Sequence, residues 1–286
     1  ELEERIRERG ANPLDEIGLR TPFPIFNSFF GGLRSKNGLY NIVSRSGEGK
    51  ALEENTLIPT PDGFKRIKDL KIGDEVFAIN GSVTRVTNKA EWKNRKVYKV
   101  VTSDGDCVLA DENHEWVIQE EGSLEWKRVE TKALFGKSKN IKIPQHCAID
   151  LPESDFKIDP YSLGEYIKEY PVGNISKKYL RSSITQRLDI LRGIFSLKKD
   201  CPTGEINFET KRKETAEDVL ELIFSLGLYA ELKKQNSIYI IKFNSKYLKN
   251  NFERYISVEF FGYKNTVCIE VAHPSHVFLC GRTFIP

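Results

Sequence analysis

Gly47-Glu48-Gly49-Lys50 has the glycine spacing and the lysine with which a strand-to-helix turn cradles phosphate oxygens. The full motif, G-x-x-x-x-G-K-[ST], closes on a hydroxyl that binds the nucleotide's magnesium. Here Lys50 is followed by Ala51, and Ser44 stands where the first glycine belongs. Leu52-Glu53-Glu54-Asn55-Thr56 does not continue the amphipathic helix that should follow, so a nucleotide site is interrupted at Lys50–Ala51. Other reactive groups are few. The five cysteines (Cys107, Cys147, Cys201, Cys268, Cys280) are odd in number and lack C-x-x-C spacing. Neither a zinc site nor a disulfide framework is expected, and any of these reduced thiols could be a nucleophile. His114 and His276 are candidate proton donors and acceptors near neutral pH.

The elements that must position these groups change in kind along the chain. The 286 residues suffice for two or three modules. Hydrophobic content of 39% and charged content of 30% suit a soluble globular protein. A net charge of +3 argues neither for nor against nucleic acid. No apolar run reaches the roughly 18 residues of a membrane span, and no signal peptide is visible, so a cytoplasmic protein with no membrane partner is expected. The absence of methionine implies either a fragment or methionines missing from the written sequence, in which case some spacings would be short by one.

Residues 1–50 begin with a charged helical stretch, Glu1 to Arg9, and lead through Gly31-Gly32-Leu33 to a strand at Leu39–Val43. From Ala51 to about Lys142 the pattern is short alternating strands, such as Glu75–Ile79, Lys96–Val101 and Glu115–Ile118. Turn signals at Pro61-Asp62-Gly63, Asn80-Gly81 and Asp104-Gly105 separate them. Helices dominate from about 146 to 250; Glu214 to Leu226 is amphipathic and is followed by a capping Gly227. A hairpin-like stretch runs from Ala230 to Phe243, and alternation returns in Thr266–Val271 and His276–Leu279. The expected fold class is mainly β, an all-β module interrupted by an α+β insert and preceded by part of an α/β domain.

Four ordered blocks carry a resemblance. Ala51–Thr60 with Ile67–Val76 is similar to the first block of an intein, a protein-splicing domain of the horseshoe-like Hint fold. Val108–Trp116 resembles the second, built on Thr-x-x-His, with Asp111 in place of the Thr. Cys268-Ile269-Glu270-Val271 to His276-Val277-Phe278 resembles the penultimate block, and Ile285-Pro286 the start of the last. Residues 1–50 resemble the opening of the ATPase core of RecA-like replicative helicases. The resemblance implies a self-splicing precursor with an N-extein at 1–50, splicing-domain parts at 51–145 and 254–286, and an insert at 146–253. The scissile bond would be Lys50–Ala51. Splicing there needs a nucleophile, a donor for the leaving nitrogen and a polarised carbonyl.

Ala51 carries no nucleophile, whereas most inteins begin with Cys or Ser. Cys268 where most inteins have Asp, together with Trp116 two residues past His114, resembles the class 3 inteins. That resemblance implies direct attack by Cys268 on the Lys50 carbonyl, with His114 protonating the Ala51 nitrogen and Trp116 shielding the thioester. His276 would assist cyclisation of a terminal Asn. The chain stops at Pro286, before the Thr, His and Asn that the scheme expects, so only the thioester and N-terminal cleavage steps are expected of it. Asp159–Ile167 and Arg187–Lys199 resemble the two signature helices of LAGLIDADG homing endonucleases, with Gly164 and Gly193 at a close crossing. Such enzymes hold magnesium with an acid at each helix base. Glu169 keeps one, but Lys198 and Lys199 occupy the second site. The insert is therefore expected to be an inactive endonuclease, without metal or cofactor, with at most weak DNA binding through Lys211-Arg212-Lys213. The partners are then the chain's own exteins, and a monomer is expected. The alternatives are an ordinary intein whose first Cys is replaced by Ala51, an active homing endonuclease, and a functional ATPase built on Gly47, Gly49 and Lys50.

Overall fold

The structure, a computed structural model, describes residues 51–136, 141–171, 174–196, 205–244 and 253–286. Gly47, Gly49, Lys50, Lys198, Lys199 and Cys201, with the rest of 1–50, lie outside the described residues. Among the described residues the fold is mainly β, and no helix is long and apolar enough to cross a membrane.

Two long strands form the frame. β5 (Val83–Thr102) and β13 (Arg254–Val271) pair antiparallel from Ile256↔Thr102 to Val271↔Val86. The sequence reads as short strands here, yet 20 and 18 residues run on with only three register shifts. The shifts, and left-handed Asn94 (φ 53°), let the ladder bend and twist where an even pair would run straight. Short strands attach to this frame: β1 (Leu52–Glu53), β4 (Glu75–Phe77), β6 (Cys107–Asp111), β7 (Glu115–Glu120), β8 (Lys127–Glu130) and β9 (Ile141–Ile143). The sheet order is β4-β5-β6-β1-β13-β9-β7-β8. A separate hairpin joins β2 (Leu57–Thr60) to β3 (Gly63–Arg66), and α1 (Thr131–Leu134) follows β8. The core on this side gathers Leu52, Ile58, Ile67, Val86, Val100, Trp116, Ile118, Val267 and Ile285, contributed by both ends of the chain segment. Burying each of the larger aliphatic or aromatic side chains contributes about 1.5–3 kcal/mol.

The strand read at His276–Leu279 is a correction. It reduces to one bridge, Ala78 to Phe278, because His276 is left-handed (φ 53°) and breaks the extended backbone.

Between β9 and β13 the chain becomes helical: α2 (Pro160–Glu169), α3 (Lys177–Leu180), α4 (Ile184–Phe195) and α5 (Lys213–Ser225). Asp159 caps α2 through Ser162 N–H, with Pro160 in the first turn, and Ser183 with Gln186 forms a capping box on α4. Left-handed Gly227 (φ 67°) ends α5 and donates to Phe224 O at 2.9 Å. β10 (Glu205–Thr210), β12 (Ile238–Asn244) and β11 (Ala230–Gln235) make a three-stranded sheet in that order. Here α2 and α4 cross at glycine. A Cβ on Gly164 would stand 2.2 Å from Ile190 O, and one on Gly193 2.2 Å from Tyr161 O. No other residue fits at such a crossing.

Candidate active site

β1 is only two residues long, but it lies between two strands and so sets the site. Leu52 pairs with Ala110 of β6 on one side and Val267 of β13 on the other. One residue further in the same registers, Ala51 falls opposite both Asp111 and Cys268. Asp111 N–H donates to Ala51 O at 2.9 Å, which extends the β1–β6 ladder to that position. Residues opposite one another in an antiparallel ladder have Cα atoms about 4.5–5.5 Å apart and side chains on one face. Ala51, Asp111 and Cys268 are 2%, 1% and 3% exposed, so the three sit together in a water-poor environment. The Cys268 Sγ lies 3.7 Å from Ile269 O.

A buried carboxylate needs compensation. Asp111 finds it in Arg95, one strand away, whose Nε donates to Oδ2 at 2.8 Å and whose Nη2 donates to Oδ1 at 3.4 Å. The same hydrogen bond raises the pKa of Arg95 above its ordinary value. Asn113 N–H donates to Asp111 Oδ1 at 2.9 Å, and His114 N–H to Asp111 O at 3.0 Å. Asp111 therefore closes the turn that presents His114. Its carboxylate is occupied by Arg95 and the turn, and its backbone N–H holds Ala51.

Thr131, at the start of α1, fixes the next two residues of interest. Its N–H and its hydroxyl both donate to His114 O, at 2.8 and 2.9 Å. Its hydroxyl also accepts from Trp116 Nε1 at 3.0 Å. The His114 and Trp116 rings lie 4.9 Å apart, tilted by 60°. Trp116 is fully buried and His114 half-buried, so the indole offers an apolar surface to the imidazole.

A cavity of about 50 Å³ opens at this point, lined by Leu52, His114, Val117, Ile269, His276, Cys280 and Pro286. His276 is exposed at its edge, on a turn where His276 N–H donates to His273 O at 2.9 Å. His273, half-buried, uses Nδ1 to contact Ser275 Oγ at 2.8 Å. Arg128 of β8 donates to Ser275 O at 3.1 Å, which ties this turn to the strand beside Trp116. The structure thus gathers His114, His276 and Pro286 around one cavity, with the Trp116 ring packed against that of His114 behind its wall. Cys268 and Ala51 sit beside it, in the strands, and do not line it.

Of the other thiols, Cys107 and Cys147 are exposed and Cys280 is buried in the cavity wall. Burial pushes the Cys280 thiol above its ordinary value, aided by the charge of Asp106, which keeps it protonated and a poor nucleophile. In the helical region Glu169 is exposed at the end of α2, and Lys211, Arg212 and Lys213 face solvent, with Lys213 paired to Glu217 at 3.3 Å. Among the described residues no group of three or more His, Cys, Asp or Glu is disposed to hold a metal ion. Sequence reasoning missed Arg95 and Thr131. A buried acid at position 111 signals that a cation must be near, but not which of the many arginines and lysines supplies it.

No protein-family model matches the chain. It is similar to the replicative DNA helicase DnaB of Mycobacterium intracellulare, 27% identical over an alignment of 253 residues that covers 65% of this chain and 44% of that protein. It is similar also to the replicative DNA helicase DnaB of Mycobacterium leprae (strain TN), 38% identical over 76 residues, 26% of this chain and 13% of that protein. The chain therefore spans less than half the length of either relative. Among solved structures, the MchDnaB-1 intein aligns with 82% of this chain and 98% of its own at 16% identity and a TM-score of 0.40. The Msm DnaB1 intein splicing domain bound with zinc covers 82% of this chain and 98% of its own at 15% identity and a TM-score of 0.39.

Proposed function

We propose that the chain is a self-splicing precursor, an intein of the class 3 type lodged in the phosphate loop of a replicative-helicase extein. The observation that carries this reading is Ala51 held in register between Asp111 and Cys268. Similarity to two replicative helicases supports the choice of extein.

In this reading the Cys268 sulfur attacks the carbonyl carbon of Lys50. A C–S bond forms, the Lys50–Ala51 C–N bond breaks, and the electron pair of that bond stays on the Ala51 nitrogen. His114 carries the proton lost by the thiol to that nitrogen, so charge and atoms balance. Asp111 acts as a positioning residue, fixing Ala51 through its backbone N–H and His114 through its turn. Trp116 limits water beside the thioester, which would otherwise hydrolyse. His276, across the cavity from His114, serves the later release at the downstream junction. The helical region from 146 to 253 is read as a degenerate LAGLIDADG insert. The glycine crossing of α2 and α4, and the three-stranded sheet, support that kinship. Exposed Glu169 alone, with lysines at 198 and 199, supports loss of cleavage.

The test is intact-mass measurement of the chain treated with a small thiol. Release of residues 1–50 is expected, and Cys268→Ala should abolish it, a loss of at least about 100-fold. If Cys268→Ala cleaves like its parent, direct attack is wrong. If instead Ala51→Cys restores cleavage with Cys268→Ala present, the chain is an ordinary intein trapped by its first residue. Nicking of DNA in the presence of magnesium would overturn the inactive insert.

A further inference from the structure

The last turn of the described chain is gripped by groups that no step above employs. Arg254, at the start of β13, donates from Nη2 to Thr283 O at 2.9 Å and from Nη1 to Phe284 O at 3.4 Å. The same guanidinium meets Asp104 Oδ2 at 2.7 Å, and the two side chains are 2% and 0% exposed. Asp106 Oδ2 accepts from Thr283 N–H at 2.8 Å and from the Thr283 hydroxyl at 3.1 Å. Gly281 leaves the room that this carboxylate needs, since a Cβ there would stand 2.7 Å from Asp106 Oδ2. Two reciprocal bonds then close the turn, Cys280 N–H to Ile285 O at 2.7 Å and Ile285 N–H to Cys280 O at 2.6 Å.

Phe284 sits in the left-handed region (φ 55°), where a bulky side chain persists only if its surroundings over-determine it. They do so here. Its ring is fully buried between Phe64, 5.8 Å away, and His146, which stacks on it at 5.7 Å. His146 in turn contacts Phe224 O of α5 at 2.7 Å. The turn ends at Pro286, in the cavity that holds His114 and His276.

We infer that Asp104, Asp106 and Arg254 form a positioning clamp that aims the backbone following Pro286 at the His114–His276 cavity. The inference rests on the splicing reading and adds residues for the downstream junction. Neither carboxylate nor the guanidinium touches the reacting atoms. The clamp spends its charges on the backbone of 283 and 284, so that the strained turn keeps one conformation. A misplacement of about 1 Å at a reacting group costs on the order of 100-fold in rate, which sets the scale of the effect.

The experiment uses the full precursor, this chain continued through its natural downstream residues. Arg254→Lys keeps the charge but loses the forked donor. Release at each junction is followed by intact mass. Downstream release is expected to fall at least about tenfold, while thiol-induced release of residues 1–50 stays within about twofold. A parallel fall at both junctions, or no fall at either, overturns the clamp. A second measurement stands apart from the chemistry. Amide hydrogen exchange at Thr283 and Ile285 should quicken in Arg254→Lys and in Asp106→Ala, with exchange along β5 and β13 unchanged. If thiol releases nothing from the parent, the splicing reading fails and exchange decides the clamp: unchanged rates at Thr283 and Ile285 overturn it, faster rates there support it.

Discussion

In the β frame, strand register sets Ala51 between Asp111 and Cys268; in the helical region, α2 and α4 meet through Gly164 and Gly193. Both are close approaches of two chain segments, and they leave different things behind. A ladder holds backbones about 5 Å apart and turns each side chain to a face, so reactive groups from three strands share one face. A glycine crossing joins the backbones directly and leaves no side chain at the contact. The frame can therefore present chemistry where it is tightest, whereas the helical region can present it only at the ends of its helices. The two regions also share a core, since Phe224 and Tyr229 of the helical region pack with Phe77, Leu279 and Phe284 of the frame. Arg181, from the helical region, adds to the weld by donating from Nε to Thr60 O of β2 at 2.9 Å.

Gly164→Val is the strongest way to break the comparison. Its branched side chain would meet Ile190 O, and overpacking of this kind costs about 3 kcal/mol. Because of the shared core, urea unfolding should show one transition at a lower midpoint. Two separated transitions would mean that the frame and the helical region are independent bodies. Arg95→Met probes the frame instead. It strips buried Asp111 of its cation, for a loss of about 2 kcal/mol, reduced by the partial exposure of Arg95. Denaturation midpoints check the loss, and faster exchange of the Asp111 amide would show that Ala51 has been loosened as well. An unchanged midpoint would mean that Asp111 is not held by Arg95.

The smallest effect concerns pH at the seam. Burial, with the charge of Arg254, lowers the His146 pKa from 6.5 to about 3. The unfolded chain then takes up a proton before the folded chain does, so His146 withdraws stability as pH falls from about 6.5 towards 3. Between about pH 6 and 5 that amounts to about 1 kcal/mol. His146→Phe, which keeps a ring against Phe284, should flatten that part of the stability profile. A profile as steep as the parent's would place the acid sensitivity elsewhere.

Much of this was legible before any coordinates. Gly227 marks the end of α5 and Asp104-Gly105 the turn between β5 and β6 through local backbone demands, while the crossing at Gly164 and Gly193 was legible only through the resemblance of their two helices to a known pair. The long strands were not legible, because turn-like residues at 88–95 sit inside a ladder whose bulges absorb them. Nor were Arg95 and Thr131, whose roles depend on partners 16 and 15 or more residues away across strand pairs.

The amino-acid sequence by itself determined the reactive inventory: no nucleophile at Ala51, a thiol at Cys268, imidazoles at His114 and His276, and a glycine-spaced run ending in the amine of Lys50. It determined these because they are properties of side chains and their near neighbours. Only the tertiary structure decided that positions 51, 111 and 268 share one face, and that Arg254 grips the turn at 283 and 284. The physical reason is that pairing in a sheet is set by register between distant segments. That register is chosen by which whole set of side chains the core can bury, and no local pattern encodes the choice.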